Sequence, residues 1–363
     1  MFSIQIIQEL PELQALEADW HALSTAGPQS LDFFSTWNFT WHYVSTMQPR
    51  KWLVVCLREA HTGALCGVFP WEFFTLQADA GAFRAVQPLA AAVVPYVEPP
   101  LALAVRRDVL QVVLDTVLRD QLRIDLVCWW PLHEASPLYQ LLTEDLGGSA
   151  VLQTFRYSRN IHELETRGLD YEQYCLTQPG DTFADARYQQ RRLGRLGEVA
   201  LNMHEDGAEA LRVADWMCQG IALQFGADFL YRGRPRWPQL VRALVGELGA
   251  SAVAEVATLR LDGRVIAASL SYWHKGRRYY TLCHYDPAYA RFSPGKILMR
   301  GLIEQTFHDK GIFCFGAGNH AYKGRWARSA GELKAAYVFL SASVREHLGD
   351  QLNSGFIDRL WRV

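Results

Sequence analysis

The chain is short of the features that mark specialised protein classes. Its seven cysteines (56, 66, 128, 175, 218, 283 and 314) form no Cys-x-x-Cys pair, and its histidines form no His-x-x-x-His or Cys/His cluster. The usual spacings for structural zinc are therefore missing, and no metal site is expected. No stretch approaches the roughly 18 apolar residues needed to cross a bilayer. The opening MFSIQIIQELPEL has no basic region and is broken by Glu9 and Pro11, unlike a secretory signal. Neither sign of charge is in excess: 36 Lys and Arg stand against 38 Asp and Glu, a formal net charge of −2. A generic nucleic-acid binder is more basic, so that class loses weight. Low-complexity tracts are absent.

What is present is globular. Half the residues are hydrophobic and 20% are charged. At 363 residues the chain exceeds one ordinary core, so two domains are expected. Cys56, Cys66, Cys128, Cys283 and Cys314 lie in strand-like apolar runs, where a free thiol is a small core residue. Reduced structural thiols imply the cytoplasm.

The first half reads as a strand at FSIQII, a helix over PELQALEADWHALS and another over DFFSTWNFTWHYVSTM. A hairpin follows at KWLVVCLREA and ALCGVFPWEFFTL, then a strand at FRAVQPLAA, the helix RDVLQVVLDTVLRDQ and the strand IDLVCWW. Near residue 150 the order restarts. TFRYSRNIHELE is strand-like, LDYEQYCLTQ and the basic DARYQQRRLGRLG are helical, and AEALRVADWMCQGIALQF and PQLVRALVGELG are two more helices. Three strands then meet at turns LDGR and HKGR. The helix 294–310, the strand IFCFGAG, a short helix and the strand ELKAAYVFLS close the chain. The two halves share an order of elements but no repeat in the letters. The expected domains are 1–150 and 151–363.

The most informative stretch is DPAYARFSPGKILMRGLIEQTFHDKG. Ser293 suits a helix N-cap and Pro294 the first helical position. Leu298 and Leu302 then form one i, i+4 row, with Met299, Ile303 and Phe307 beside it. Lys296 in the first turn and Arg291 before the cap oppose the helix dipole, unless an anion sits there. A P-loop is excluded, because Ala290 stands where it needs Gly and Ile297 where it needs Ser or Thr. A helix N-terminus followed by a strand ending in Gly-x-Gly-Asn (316–319) suits a pyrophosphate instead. The plain alternative is a solvated Lys296 in an ordinary strand–helix turn.

At this point the sequence resembles the GNAT acyltransferases. LDGRVIAASLSY, YYTLCHYDPAYARFSPGKILMRGLIE and FCFGAGNHAYKGRWA look like the cellulose-biosynthesis (CelD/BcsL-type) acetyltransferase family. RYQQRRLGRLG and WLVVCLREAHTGALCGVFPW fit it too. That family resembles the FemAB aminoacyltransferases in carrying two GNAT-like halves. The resemblance implies an α+β (mixed α/β) fold of two tandem domains, each a mostly antiparallel mixed sheet flanked by helices. The first would be degenerate, forming an acceptor-side wall, and the second would hold acyl-CoA. The loop departs from the usual Arg/Gln-x-x-Gly-x-Gly/Ala pattern by keeping one glycine, Gly295.

By position, the resemblance implies that Arg291, Ser293, Gly295 and Lys296 bind the pyrophosphate of acetyl-CoA or another acyl-CoA. Tyr285 would pair with the pantetheine arm, and Asn319 and Lys323 would contact the cofactor. Tyr322 is the expected general acid. His284 is the candidate base, since an imidazole accepts a proton near neutral pH. A packed strand histidine is the ordinary alternative. Arg187 and Arg191, with Arg192 and Arg195, are a solvated helix face or a cationic wall for an acidic sugar acceptor. Trp37, Trp41, Trp129 and Trp130 are stacking platforms or core residues. The leading expectation is an N- or O-acyltransferase for a sugar or exopolysaccharide precursor. The alternatives are aminoacyl transfer from charged tRNA, which the net charge disfavours, and a non-catalytic accessory protein of polysaccharide synthesis.

Overall fold

The computed structural model describes residues 1–26, 33–78, 81–148, 151–178, 181–226, 235–327 and 329–352. It divides into two compact units: Met1–Asn160 together with the segment from Gly331 onward, and Ile161–Ala330. The sequence reading put everything after residue 150 in the second domain. The difference lies in residues 151–160 and in the last strand.

The first unit runs β1 (Phe2–Ile7), α1 (Leu10–Ala15), α2 (Glu17–Ala26), α3 (Trp37–His42), β2 (Trp52–Glu59), β3 (Leu65–Ala78) and β4 (Gly81–Pro88), then α4 (Arg106–Val112), β5 (Leu126–His133) and α5 (Pro137–Leu146). The single helix expected over residues 11–24 is broken at Leu16 into α1 and α2. β1 to β4 form an antiparallel meander, and β5 adds parallel to β4. The strand β12 (Ser329–Phe339) then pairs antiparallel with β5, with Leu333 opposite His133 and Phe339 opposite Leu126. This ladder is why residues from 331 belong with the first unit.

The strand β6 (Leu152–Glu165) crosses the boundary between the units, and the second continues with α6 (Tyr171–Thr177), α7 (Thr182–Leu193), β7 (Val199–Glu205), α8 (Gly207–Phe225) and α9 (Trp237–Leu248). β8 (Ala254–Leu261), β9 (Arg264–His274), β10 (Arg277–Tyr285), α10 (Pro294–His308) and β11 (Ile312–Ala317) follow. β7 to β10 form an antiparallel meander, β11 adds parallel to β10, and β6 lies antiparallel beside β11. Both turns of the β8–β10 meander carry two residues at positive φ, Asp262-Gly263 and Lys275-Gly276. That pattern matches the twist of adjacent strands, so the chain folds back directly.

α10 is held by its apolar row. Ile297, Leu298, Leu302 and Ile303 are each at most 1% exposed and pack with Leu259, Ile266, Phe313 and Phe315. Each such side chain contributes about 1.5–3 kcal/mol by leaving water. α7 lies on the same side of the sheet, and its Phe183 and Ala186 join that cluster. α8 packs on the other face, against β9 and β10.

Candidate active site

β10 and β11 run side by side for only three register pairs, Arg277↔Ile312 to Tyr279↔Cys314. Beyond Tyr279 the strands part, while β10 continues to Tyr285 beside β9. The register shifts between Tyr280 and Leu282, a bulge at Thr281, whose hydroxyl donates to Leu270 O at 3.0 Å. The bulge restores the face: Tyr280 and Cys283 share a side of the sheet although they stand three residues apart. Cys283 is exposed, so the expectation that it is a core thiol is corrected; the other six cysteines are buried and all seven are free. Desolvation at its sulfur raises the thiol pKa, opposed by a Tyr280 hydrogen bond and the Lys323 charge.

The loop into α10 differs from the expected cap. Asp286 caps a 3-10 turn, Pro287–Phe292, by accepting from Ala288 N at 3.0 Å. Ser293 follows in a left-handed conformation (φ 50°, ψ 53°), and its side chain makes no capping bond. An N-cap that accepts with its side chain needs extended backbone, which the preceding turn denies it. Its carbonyl instead accepts from Lys296 N (2.9 Å) and Ile297 N (3.2 Å). With Pro294 lacking an N–H, the Gly295 N–H is the loop donor without an acceptor among the described residues.

The charge in this first turn is answered from within the chain. The Lys296 ammonium bonds Asp185 of α7, and this bond holds the Asp185 carboxyl below its usual range. Arg291 lies over the Phe292 ring, 4.8 Å from its centroid, and Arg192 of α7 over the same ring at 5.4 Å. Arg187 pairs with Glu172 of α6 at 3.3 Å. Arg191 is exposed in the last turn of α7. A Cβ at Gly295 would stand 3.8 Å from the Tyr285 ring, an ordinary contact, so the space beside the loop is open.

The two proton-transfer candidates sit on different sides of the sheet. Neighbouring strand residues point to opposite faces. Tyr285 joins the α10 cluster. His284, 7% exposed, packs against α8, edge-on to Trp216 at 4.7 Å. A Cβ on Gly220 would fall 2.0 Å from its Nε2, so only glycine lets helix and imidazole meet there. Its Nδ1 is buried with no hydrogen-bond partner among the described residues. Burial lowers the His284 pKa, against the pull of Asp286, which favours the neutral ring at pH 7.

Tyr322 stands on the splay side, with Cys283 close enough for their charges to interact. Desolvation and Cys283 raise its phenol pKa, so it keeps its proton at neutral pH. The residue is 40% exposed. Lys323 is turned inward, 4% exposed, donating to Gly316 O (3.0 Å) and Ala317 O (2.8 Å) at the end of β11. It thus holds the diverging strand end. Asn319 is exposed just after Gly318. The structure therefore gathers Tyr280, Cys283, Tyr322 and Lys323 at the splay, and Tyr285, Gly295 and Lys296 at its mouth. Sequence reading missed Asp185, whose partner lies 111 residues away, and Tyr280. The signal for Gly220 was its place inside a helix, where glycine costs about 1 kcal/mol and implies close packing.

Residues 180–324 match the family model described as the acetyltransferase (GNAT) domain. No curated protein sequence matches the chain. Among solved structures it is similar to FemX, with a TM-score of 0.60 at 9% identity over 94% of this chain and 99% of that one. A conserved protein of unknown function from Bacteroides thetaiotaomicron gives 0.57 at 9% identity over 93% and 100%. L-PGS from Bacillus licheniformis gives 0.52 at 12% identity over 94% and 95%. At such identities the likeness is one of fold. Residues 180–324 are thus similar to the GNAT acetyltransferase domain, within a mixed α/β chain whose fold resembles that of FemX.

Proposed function

We propose that the second unit is an acyl-CoA-dependent N- or O-acyltransferase, with acetyl-CoA as donor. The observation that carries this reading is the short β10–β11 ladder. Residues 280–285 of β10 have no β11 residue in register, which leaves an extended edge fit for a pantetheine arm. Gly295 offers a free N–H and no side chain at the mouth, and Arg291 is exposed beside it. A pyrophosphate there competes with Asp185 for Lys296. The bound donor supplies the acyl group as a thioester. Tyr322 holds the proton a leaving thiolate needs, since its pKa lies above the phenol range. Lys323 fixes the carbonyls of the β11 end, and neutral His284 orients or takes a proton from the other face of β10.

The acceptor class, an amine or hydroxyl of a sugar or exopolysaccharide precursor, rests on the resemblance to the cellulose-biosynthesis acetyltransferases. Thermal shift and native mass spectrometry with acetyl-CoA, longer acyl-CoAs and CoA test the donor. A ligand at about 100 times its Kd adds roughly 2.7 kcal/mol to stability. No response to any of them sinks the reading. Once an acceptor is known, Tyr322→Phe is expected to cost about 10²-fold in turnover with CoA affinity kept.

A further inference from the structure

The first unit has an open sheet edge that the acyl-transfer reading leaves unused. β3 runs to Ala78, but its register with β2 ends at the Trp52↔Glu72 pair. One further bond follows, from Phe73 N to Lys51 O at 3.1 Å. With the two-residue period of a strand, the Thr75 and Gln77 N–H groups point the same way. No β2 residue is in register with them, and the β3–β4 ladder is regular to Ala78↔Gly81, so no bulge turns them aside.

This edge borders an open groove of about 620 Å³, lined by Arg50, Lys51 and Arg84 and by the half-buried rings of Trp52, Phe73 and Phe74. No Asp or Glu lines it. The three cations are exposed, and none makes an ion pair among the described residues. The Asp125 carboxylate nearby is engaged by the Arg84 backbone N–H at 2.8 Å. In a chain of net charge −2, the groove gathers positive charge only.

Cations along a strand edge deter pairing with a second, equally charged copy. The occupant that fits carries the opposite sign and offers backbone partners. We propose that the β3 edge docks an acidic peptide segment in extended conformation, added as a strand beyond Glu72. Its carbonyls would accept from Thr75 and Gln77, its carboxylates would pair with Lys51 and Arg84 on the face they share with Phe73, and the alternate apolar side chains would rest on Trp52 and Phe74 on the other face. Residues 73–78 offer room for about six residues, roughly 20 Å at 3.3 Å each. A lipid surface or a nucleic acid could use the cations but would not extend the ladder.

The test uses the full chain and an array of fluorescein-labelled octapeptides alternating Glu with Val or Phe, with Lys-for-Glu controls. Anisotropy should show saturable binding of the Glu series alone, weakened by salt. Amide exchange at Thr75 and Gln77 should slow on binding. Lys51→Glu with Arg84→Glu, both at exposed positions, should cost tenfold or more in affinity. Thr75→Pro, which removes one edge N–H and keeps every cation, should also weaken it. Failure of every acidic peptide, or binding that survives the charge reversal, overturns the proposal. So does binding of phosphatidylglycerol vesicles or oligo(dT) that leaves Thr75 and Gln77 exchange unchanged.

Discussion

The two units part their parallel strands at the same place and treat the gap differently. In the first, β4 and β5 share two register pairs, Ala85↔Leu126 and Val86↔Val127, before diverging. The chain then fills the space. None of residues 89–100 is exposed, and Leu89, Val97 and Pro99 close around Phe69 and Trp129, leaving a void of about 20 Å³, room for one water. Glu98 is buried and accepts from Leu138 N at the start of α5 (3.0 Å). In the second unit, the connection after β10 stays at the surface and the strand ends face open space. The sheet makes a gap in either case. Whether it becomes a core or a site depends on the crossover that follows.

Changes at the open gap should alter ligand binding, and changes at the filled one should alter stability. The largest effect expected is at Gly295. Gly295→Glu puts bulk and negative charge at the loop and should abolish CoA binding in a folded protein, while titration of the unmodified chain should give one equivalent. Unchanged affinity, or two equivalents, breaks the contrast. In the filled gap, Trp129→Ala should lower the unfolding free energy by about 3–5 kcal/mol. Cys283→Ser at the open one should stay within about 0.5 kcal/mol. Urea midpoints of the two variants decide this, and equal losses would mean that both gaps are cores.

The filled gap also has its own pH dependence. Glu72 accepts from Tyr43 Oη (3.1 Å) and Gln87 Nε2 (3.3 Å), and Gln87 accepts in turn from Trp130 (3.2 Å). Burial raises the Glu72 pKa from 4.5 to about 7. The folded state therefore holds the proton more tightly than the unfolded chain. This stabilisation is full below pH 4.5 and is lost as pH rises through about 7, a change on the order of 3 kcal/mol. Glu72→Gln should flatten the fall in stability between pH 5 and 8. An unaltered slope would place the titration elsewhere. The smallest effect expected is at Cys283. It should be the thiol that alkylates first, at a rate still rising at pH values where an ordinary thiol has levelled off, with CoA slowing it. Labelling that ignores CoA would separate Cys283 from the donor cleft.

Much of this was legible in the chain. α10 followed from its i, i+4 row, and the β8–β10 meander from LDGR and HKGR, because both signals are local. β7 went unread although Val199, Leu201 and Met203 alternate, and α5 went unread despite the Ser136 cap. The long-range terms left no trace. Nothing near Lys296 names Asp185, and no spacing rule shows that a bulge at Thr281 turns Cys283 outward. The N-cap expected at Ser293 is absent, because the 3-10 turn before it sets the backbone first.

The pairing of β12 with β5 also sets an order in time. Two hundred residues separate His133 from its register partner Leu333. At a synthesis rate of about 5–20 residues per second, that gap is on the order of 10–40 s. Through that interval β5, whose Val127, Cys128 and Trp130 are at most 1% exposed when folded, waits with one edge unpaired. An apolar edge left open invites other strands. A ribosome carrying this chain therefore holds an incomplete first unit while the second is being made, and that half-finished sheet is where a chaperone would be needed.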